Sequence, residues 1–166
     1  MKLQASDFVA RKGLQPIAML TAYTCPVARA LERAGIPVIL VGDTVGMVEM
    51  GFDSTRHVTL EHMEYHIGAV RRGAPDTHIV GDLPYRTDRD ADTALASARR
   101  LIAAGADSVK LEGDKYEVIR HLVAHDIPVC GHTGLLPQTA KGFAKVGRSD
   151  AEAERIRQEA KGIGQR

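Results

Sequence analysis

Three apolar runs in this sequence each end in a carboxylate: VILVGD at Asp43, HIVGD at Asp82 and SVKLE at Glu112. Lys110 precedes Glu112 by two residues, which in an extended strand puts both side chains on one face. The next apolar run, IPVCGH, ends at His132. If these runs are parallel strands, their C-terminal ends share one side and the groups meet at a single mouth. Carboxylates crowded together repel one another and raise each other's pKa values. One lysine offsets part of that charge, and a divalent cation would offset the rest. Oxygen ligands suit a hard ion such as Mg²⁺ better than zinc. An α-keto acid would complete the coordination through its carboxylate and keto oxygens, with the ion acting as a Lewis acid toward an enolate. A single Gly-Asp after a strand is usually only a turn. Acidic residues at three consecutive strand ends, joined by a lysine set between Val109 and Leu111, carry the functional reading, because such a lysine must point into a barrel or snorkel outward. His132 alone carries less, since a histidine at a strand end is often just a satisfied polar residue.

The elements that would position these groups follow from an alternation along the chain. Near-continuous apolar runs at 17–23, 38–42, 78–81, 107–111 and 127–131 predict parallel strands covered on both faces. Between them lie helical stripes: Leu60, Met63, Ile67 and Val70; then Leu95, Ala98 and Ile102; then Tyr116, Ile119 and Val123. Thr59 and Asp90 are expected N-caps, and Gly35, Gly73 and Gly105 are expected helix ends. A helix over about 5–12 should precede the first strand, and another over about 150–161 should close the chain. No linker or low-complexity tract divides residues 1–166, which read as a single domain. Five βα units admit two architectures, a doubly wound flavodoxin-like sheet or an incomplete (β/α)8 barrel. Length favours the first and the strand-end residues favour the second.

Composition excludes several classes of function. With 44% hydrophobic and 26% charged residues the chain reads as globular. Its formal charge of +1, from 22 basic and 21 acidic residues, gives no electrostatic reason to expect nucleic acid or an anionic membrane as partner. No apolar run approaches a membrane span, and the N-terminal MKLQASDFVARKG lacks the apolar region of a secretory signal. Cys25 and Cys130 match no metal or redox spacing and are expected to be buried, reduced thiols of a cytoplasmic protein. Arg71-Arg72 and Arg99-Arg100 are expected on solvated helix faces, and Glu152, Glu154 and Glu159 in a solvated helical pattern. Met47 and Met50 could line the mouth or pack in the core. Lys141, Lys145 and Arg148 are expected to form an ordinary basic loop, with attraction of an anionic ligand tail as the alternative.

Roughly residues 13–148 resemble the ketopantoate (3-methyl-2-oxobutanoate) hydroxymethyltransferases. The resemblance rests on MLTAYT (19–24), VGDTVGMVEMGFDST (41–55), YHIGAVRRGAP (65–75), GDLPY (81–85), GADSVKLEG (105–113) and IPVCGHTGLLPQ (127–138). It implies a (β/α)8 barrel, bound Mg²⁺ and a cytoplasmic homo-oligomer, typically a decamer. The implied reaction moves a one-carbon unit from 5,10-methylenetetrahydrofolate to 3-methyl-2-oxobutanoate, forming 2-dehydropantoate in pantothenate biosynthesis. On matching positions, Asp43, Asp82 and Glu112 take the metal-ligand roles. Asp43, Thr44, Asp82 and Lys110 take the substrate contacts, with His132 at the mouth.

The chain departs from that pattern at Thr44, where the family usually has serine, at Thr24, where it has aspartate, and at RTDRDAD (86–92), where it has small residues. In KGFAKVGR (141–148) the family's lysine is displaced by one. The family's catalytic glutamate lies near the end of a sixth strand, so no catalytic base is expected among these residues. A five-stranded piece is expected to expose two apolar edges, to be closed by another copy or by a second polypeptide. The alternatives are a non-catalytic relative serving as a binding or assembly subunit, and another Mg²⁺-dependent α-keto acid enzyme such as a C–C lyase.

Overall fold

In the computed structural model, which describes residues 2–14, 16–140, 142 and 144–164, the apolar runs form five strands: β1 (Met19–Thr21), β2 (Val38–Val41), β3 (His78–Asp82), β4 (Ser108–Glu112) and β5 (Val129–His132). All neighbours pair in parallel, in the order β1-β2-β3-β4-β5. A doubly wound sheet would reverse its strand order at a switch point. No reversal occurs, so the winding is that of a (β/α) barrel.

The helices are α1 (Ala5–Ala10), α2 (Cys25–Arg33), α3 (Val45–Val48), α4 (Leu60–Gly73), α5 (Ala91–Ala104), α6 (Tyr116–Ala124) and α7 (Asp150–Gly164), with a 3₁₀ turn at Thr55–His57. α2 packs on α4, α4 on α5 and α5 on α6, as consecutive crossovers on one face of a sheet must. Among the described residues no helix is long and apolar enough to cross a membrane.

The two faces of each strand have different tasks. Ile39, Val41, Ile79, Val109 and Leu111 turn toward the helices and are buried there. They meet Met63, Ile67, Val70, Leu101 and Leu122 in one apolar cluster, and this burial is the main source of stability. The alternate residues face inward. The ladder places Asp82 beside Lys110, Lys110 beside Cys130, and Glu112 beside His132. At the opposite rim, His78 bonds Leu3 O at 3.0 Å and Ser108 Oγ at 3.0 Å, while Phe8 of α1 meets its ring edge-on.

The caps stand as expected. Thr59 accepts from the His62 N–H, and Asp90 accepts from the Thr93 N–H. Gly105 ends α5 in the left-handed region at φ 120°, a backbone that L side chains rarely adopt.

Several expectations are corrected. The buried face of α6 is Val118, Ile119 and Leu122, while Val123 is 43% exposed. Both cysteines are free but only half-buried. Arg71 is not solvated. Its guanidinium donates to Gly105 O, Ala74 O, Pro75 O, Thr77 O and, at 2.5 Å, to Asp107. Burial pushes the Asp107 carboxyl up, but Lys2, the Ile79 N–H and Arg71 together hold it below the usual carboxylate range. Glu159 is shielded by Thr133 and Arg155, and Glu152 accepts from the Gly147 and Arg148 N–H groups. Lys141 lies outside the described residues.

Gly73 lets α2 and α4 touch: a β-carbon there would come within 2.3 Å of Cys25 O. In an isolated helix Gly73→Ala would gain about 1 kcal/mol. Here the clash should reverse the sign, with a loss of about 2 kcal/mol in urea unfolding. A stabilised variant would refute the close packing.

Candidate metal and substrate site

The site begins with a glycine-acid step at two strand ends. β2 runs out into Asp43 and β3 ends at Asp82, and the Asp43 N–H donates to Asp82 Oδ2 at 3.1 Å, so the loop after β2 is tied to the end of β3 at the rim. Lys110, one strand over, donates to Asp82 Oδ1 at 2.5 Å. Its ammonium lies inside because the ladder puts residue 110 level with residue 82, and Val109 and Leu111 have taken the helix-facing side. Glu112, two residues further along β4, is carried to the same rim. Asp43, Asp82 and Glu112 are only 2%, 4% and 6% exposed.

The structure therefore brings together the strand-end carboxylates and the lysine read from sequence. Thr44 joins them, its Oγ1 2.7 Å from the Tyr23 hydroxyl. His132 stands beside Glu112, with Nδ1 at 3.6 Å from Oε1, longer than a hydrogen bond. That buried nitrogen has no hydrogen-bond partner among the described residues.

Two contributors escaped the sequence reading. Gln138, from the loop after β5, is 3% exposed. Its side-chain amide donates to Asp43 Oδ2 at 2.8 Å and to Leu83 O at 2.9 Å, and its backbone N–H donates to Glu112 Oε2 at 3.1 Å. Only its place just past a strand end hinted at this. Tyr23 follows the end of β1 in TAYT, a position equivalent to those of the acids, and that was its available signal. Met47 instead lines a separate cavity of about 160 Å³ with Thr55 and Pro137. A larger cavity of about 300 Å³ opens beside Glu112, lined also by Tyr85, Arg86, Lys115 and Gln138.

Electrostatics follow from this crowding. Burial, then the Asp82 charge, push Asp43 up to about 6, against the Gln138 amide and Lys110. Burial works against the Lys110 charge, but Asp82, with Asp43 and Glu112 behind it, holds the ammonium above the ordinary lysine value. Burial also raises the Cys130 thiol and the Tyr23 hydroxyl.

The donor set fits a hard divalent ion. Three acidic oxygen donors face one ammonium, and an orphaned buried nitrogen stands at the edge. Among the described residues, however, no three His, Cys, Asp or Glu side chains converge as direct ligands of one ion. Asp82 is turned to Lys110, and Gln138 sits between Asp43 and Glu112. The fit is thus to an ion such as Mg²⁺, which keeps several waters and takes one or two carboxylates directly.

A profile of the Ketopantoate hydroxymethyltransferase family matches residues 2–166. The chain is 50% identical over 162 residues to a 3-methyl-2-oxobutanoate hydroxymethyltransferase of Thermus thermophilus, covering 94% of this chain and 62% of the relative. A Shouchella clausii protein of the same name is 45% identical, with 91% and 57% covered. The chain thus spans about six-tenths of the length of these relatives. Among solved structures, a phosphonopyruvate hydrolase with oxalate and Mg²⁺ superposes at a TM-score of 0.70 with 16% identity, covering 98% of this chain and 61% of the other. A phosphonomutase-like protein from Burkholderia cenocepacia also reaches 0.70 at 15% identity, with 90% and 64% covered. These two similarities concern the fold alone.

Lys110→Met leaves Asp82 buried without its counter-charge and should cost about 3–5 kcal/mol in urea unfolding near pH 7. Adding Asp82→Asn should restore much of that loss; no restoration would contradict the pairing. For Asp43 the pH effect has a definite sign. A carboxyl raised in the folded state stabilises the metal-free fold while protonated. That contribution is complete below the unfolded value of about 3.9 and is lost as pH rises through about 6. Asp43→Asn should flatten this part of the stability profile, and an unchanged profile would place the titration elsewhere.

Proposed function

The chain belongs to the ketopantoate hydroxymethyltransferase family, and from that premise we propose that it takes part in one-carbon transfer from 5,10-methylenetetrahydrofolate to 3-methyl-2-oxobutanoate, giving 2-dehydropantoate. One observation carries the reading. A lysine pairs with Asp82 at 2.5 Å in a buried cluster that also holds Asp43 and Glu112, so negative charge exceeds positive where an anionic substrate would have to sit.

Asp43, Asp82 and Glu112 would hold Mg²⁺, one or two directly and the rest through water. The bound ion would supply Lewis acidity toward the keto oxygen, where the negative charge of an enolate would gather. The chain's own residues do the rest of the positioning. Lys110 supplies the fixed positive charge that lets a keto-acid anion approach three carboxylates. Asp82 keeps the Lys110 ammonium protonated and aimed, at no cost in reorganisation when charge develops. The Tyr23–Thr44 hydroxyl pair offers a donor for the substrate carboxylate, and His132 stands at the mouth. The cavity beside Glu112, rimmed by Arg86 and Lys115, is where an anionic folate would approach. In this reading the protein is a cytoplasmic homo-oligomer that serves pantothenate biosynthesis, its partners being small molecules.

Calorimetry tests the proposal. 3-Methyl-2-oxobutanoate should bind with Mg²⁺ present and at least tenfold more weakly without it, and Asp82→Ala should abolish the metal-dependent part. Binding indifferent to both Mg²⁺ and Asp82 would overturn the assignment.

A further inference from the structure

Gln138 reaches the site from the loop after β5, a segment with no strand-end acid of its own. Its amide is nearly sealed from solvent, and both of its N–H bonds are spent on acceptors: Asp43 Oδ2 at 2.8 Å and Leu83 O at 2.9 Å. That pattern settles the amide's orientation, because the flipped form would set a carbonyl oxygen against two other oxygens. The backbone N–H of the same residue takes Glu112 Oε2 at 3.1 Å. Its carbonyl in turn accepts from Arg56 Nε at 2.8 Å, and the Arg56 guanidinium lies over the Tyr85 ring. One residue thus links groups that follow β2 and β3 to the end of β4, and it is itself anchored to the 3₁₀ turn.

We propose that Gln138 is a positioning residue for the divalent-ion site, setting the orientation and separation of Asp43 and Glu112, with Arg56 holding it in place. The inference rests on the metal-site reading above and extends it. A buried carboxylate without such a donor is free to rotate, and two buried carboxylates left to themselves move apart. Gln138 occupies one oxygen of each and fixes the direction of the other. Hydrogen-bonded partners of metal ligands commonly change metal affinity by about 10–100-fold when removed.

The test uses Mn²⁺ as probe, with free ion counted by electron paramagnetic resonance, on the full chain, Gln138→Leu and Arg56→Met. Gln138→Leu should bind Mn²⁺ about 10–100-fold more weakly at a temperature where its metal-free form is folded, and the bound-ion spectrum should change shape. A purely structural strap would shift the metal-free melting point and leave affinity and spectrum alone, and that result would overturn the inference. If Gln138→Leu does not fold, Arg56→Met decides, since it alters an exposed side chain and spares the amide and both carboxylates. A several-fold loss of Mn²⁺ affinity supports the inference, and unchanged affinity overturns it. Mn²⁺ uptake by the unaltered chain with equal uptake by the variants sinks this inference alone. No uptake by the unaltered chain sinks the proposed metal site, and this inference with it.

Discussion

The Lys110–Asp82 ion pair is the constraint around which the rest of the structure is arranged. A buried pair of this kind is weak evidence for stability, since desolvating two charges offsets most of their attraction. Here two more buried carboxylates share the rim, which makes the cluster a net cost to the metal-free fold. Stability has to come from elsewhere, and it comes from the other side of the same strands. The period of two along β2, β3 and β4 sends Ile39, Val41, Ile79, Val109 and Leu111 into the helix layer and leaves the intervening positions free to carry charge.

The two rims divide the work in the same way. At the N-terminal ends of the strands, α1, His78 and Ser108 close contacts with no excess charge. At the C-terminal ends, loops after three strands deliver Tyr23, Asp43 and Gln138, while β3 itself delivers Asp82 and β4 delivers Lys110 and Glu112. The Arg71 clamp lies between these tasks. By satisfying four backbone carbonyls and Asp107 at once, it fixes the turns that lead into β3 and β4 and so the height at which Asp82 and Lys110 meet.

Much of this was legible in the sequence, for particular reasons. Apolar runs broken by an acid mark both the strand and its chemical end, so Asp43, Asp82 and Glu112 could be read without a structure. Lys110 stood out because its neighbours on both sides are apolar. Periodicity alone left the winding open, since five βα units satisfy two architectures; the strand-end residues and the family resemblance pointed to the barrel, and the unreversed strand order bears that out. Gln138 was missed because a loop residue has no periodicity, and its partner Asp43 lies 95 residues away. Arg71 was misread because its place on a polar helical stripe gives no hint of the carbonyls folded around it. The α6 face was misjudged by one step, since a two-turn helix gives the pattern little length in which to declare itself.

The proposed ion would sit between the ends of β2, β3 and β4. Crystals grown with Mn²⁺ and measured for anomalous scattering would show this directly. The account predicts one dominant peak within coordinating reach of Asp43 or Asp82, with Glu112 no more than one water away. A dominant peak elsewhere, or none near these carboxylates at saturating Mn²⁺, would contradict it.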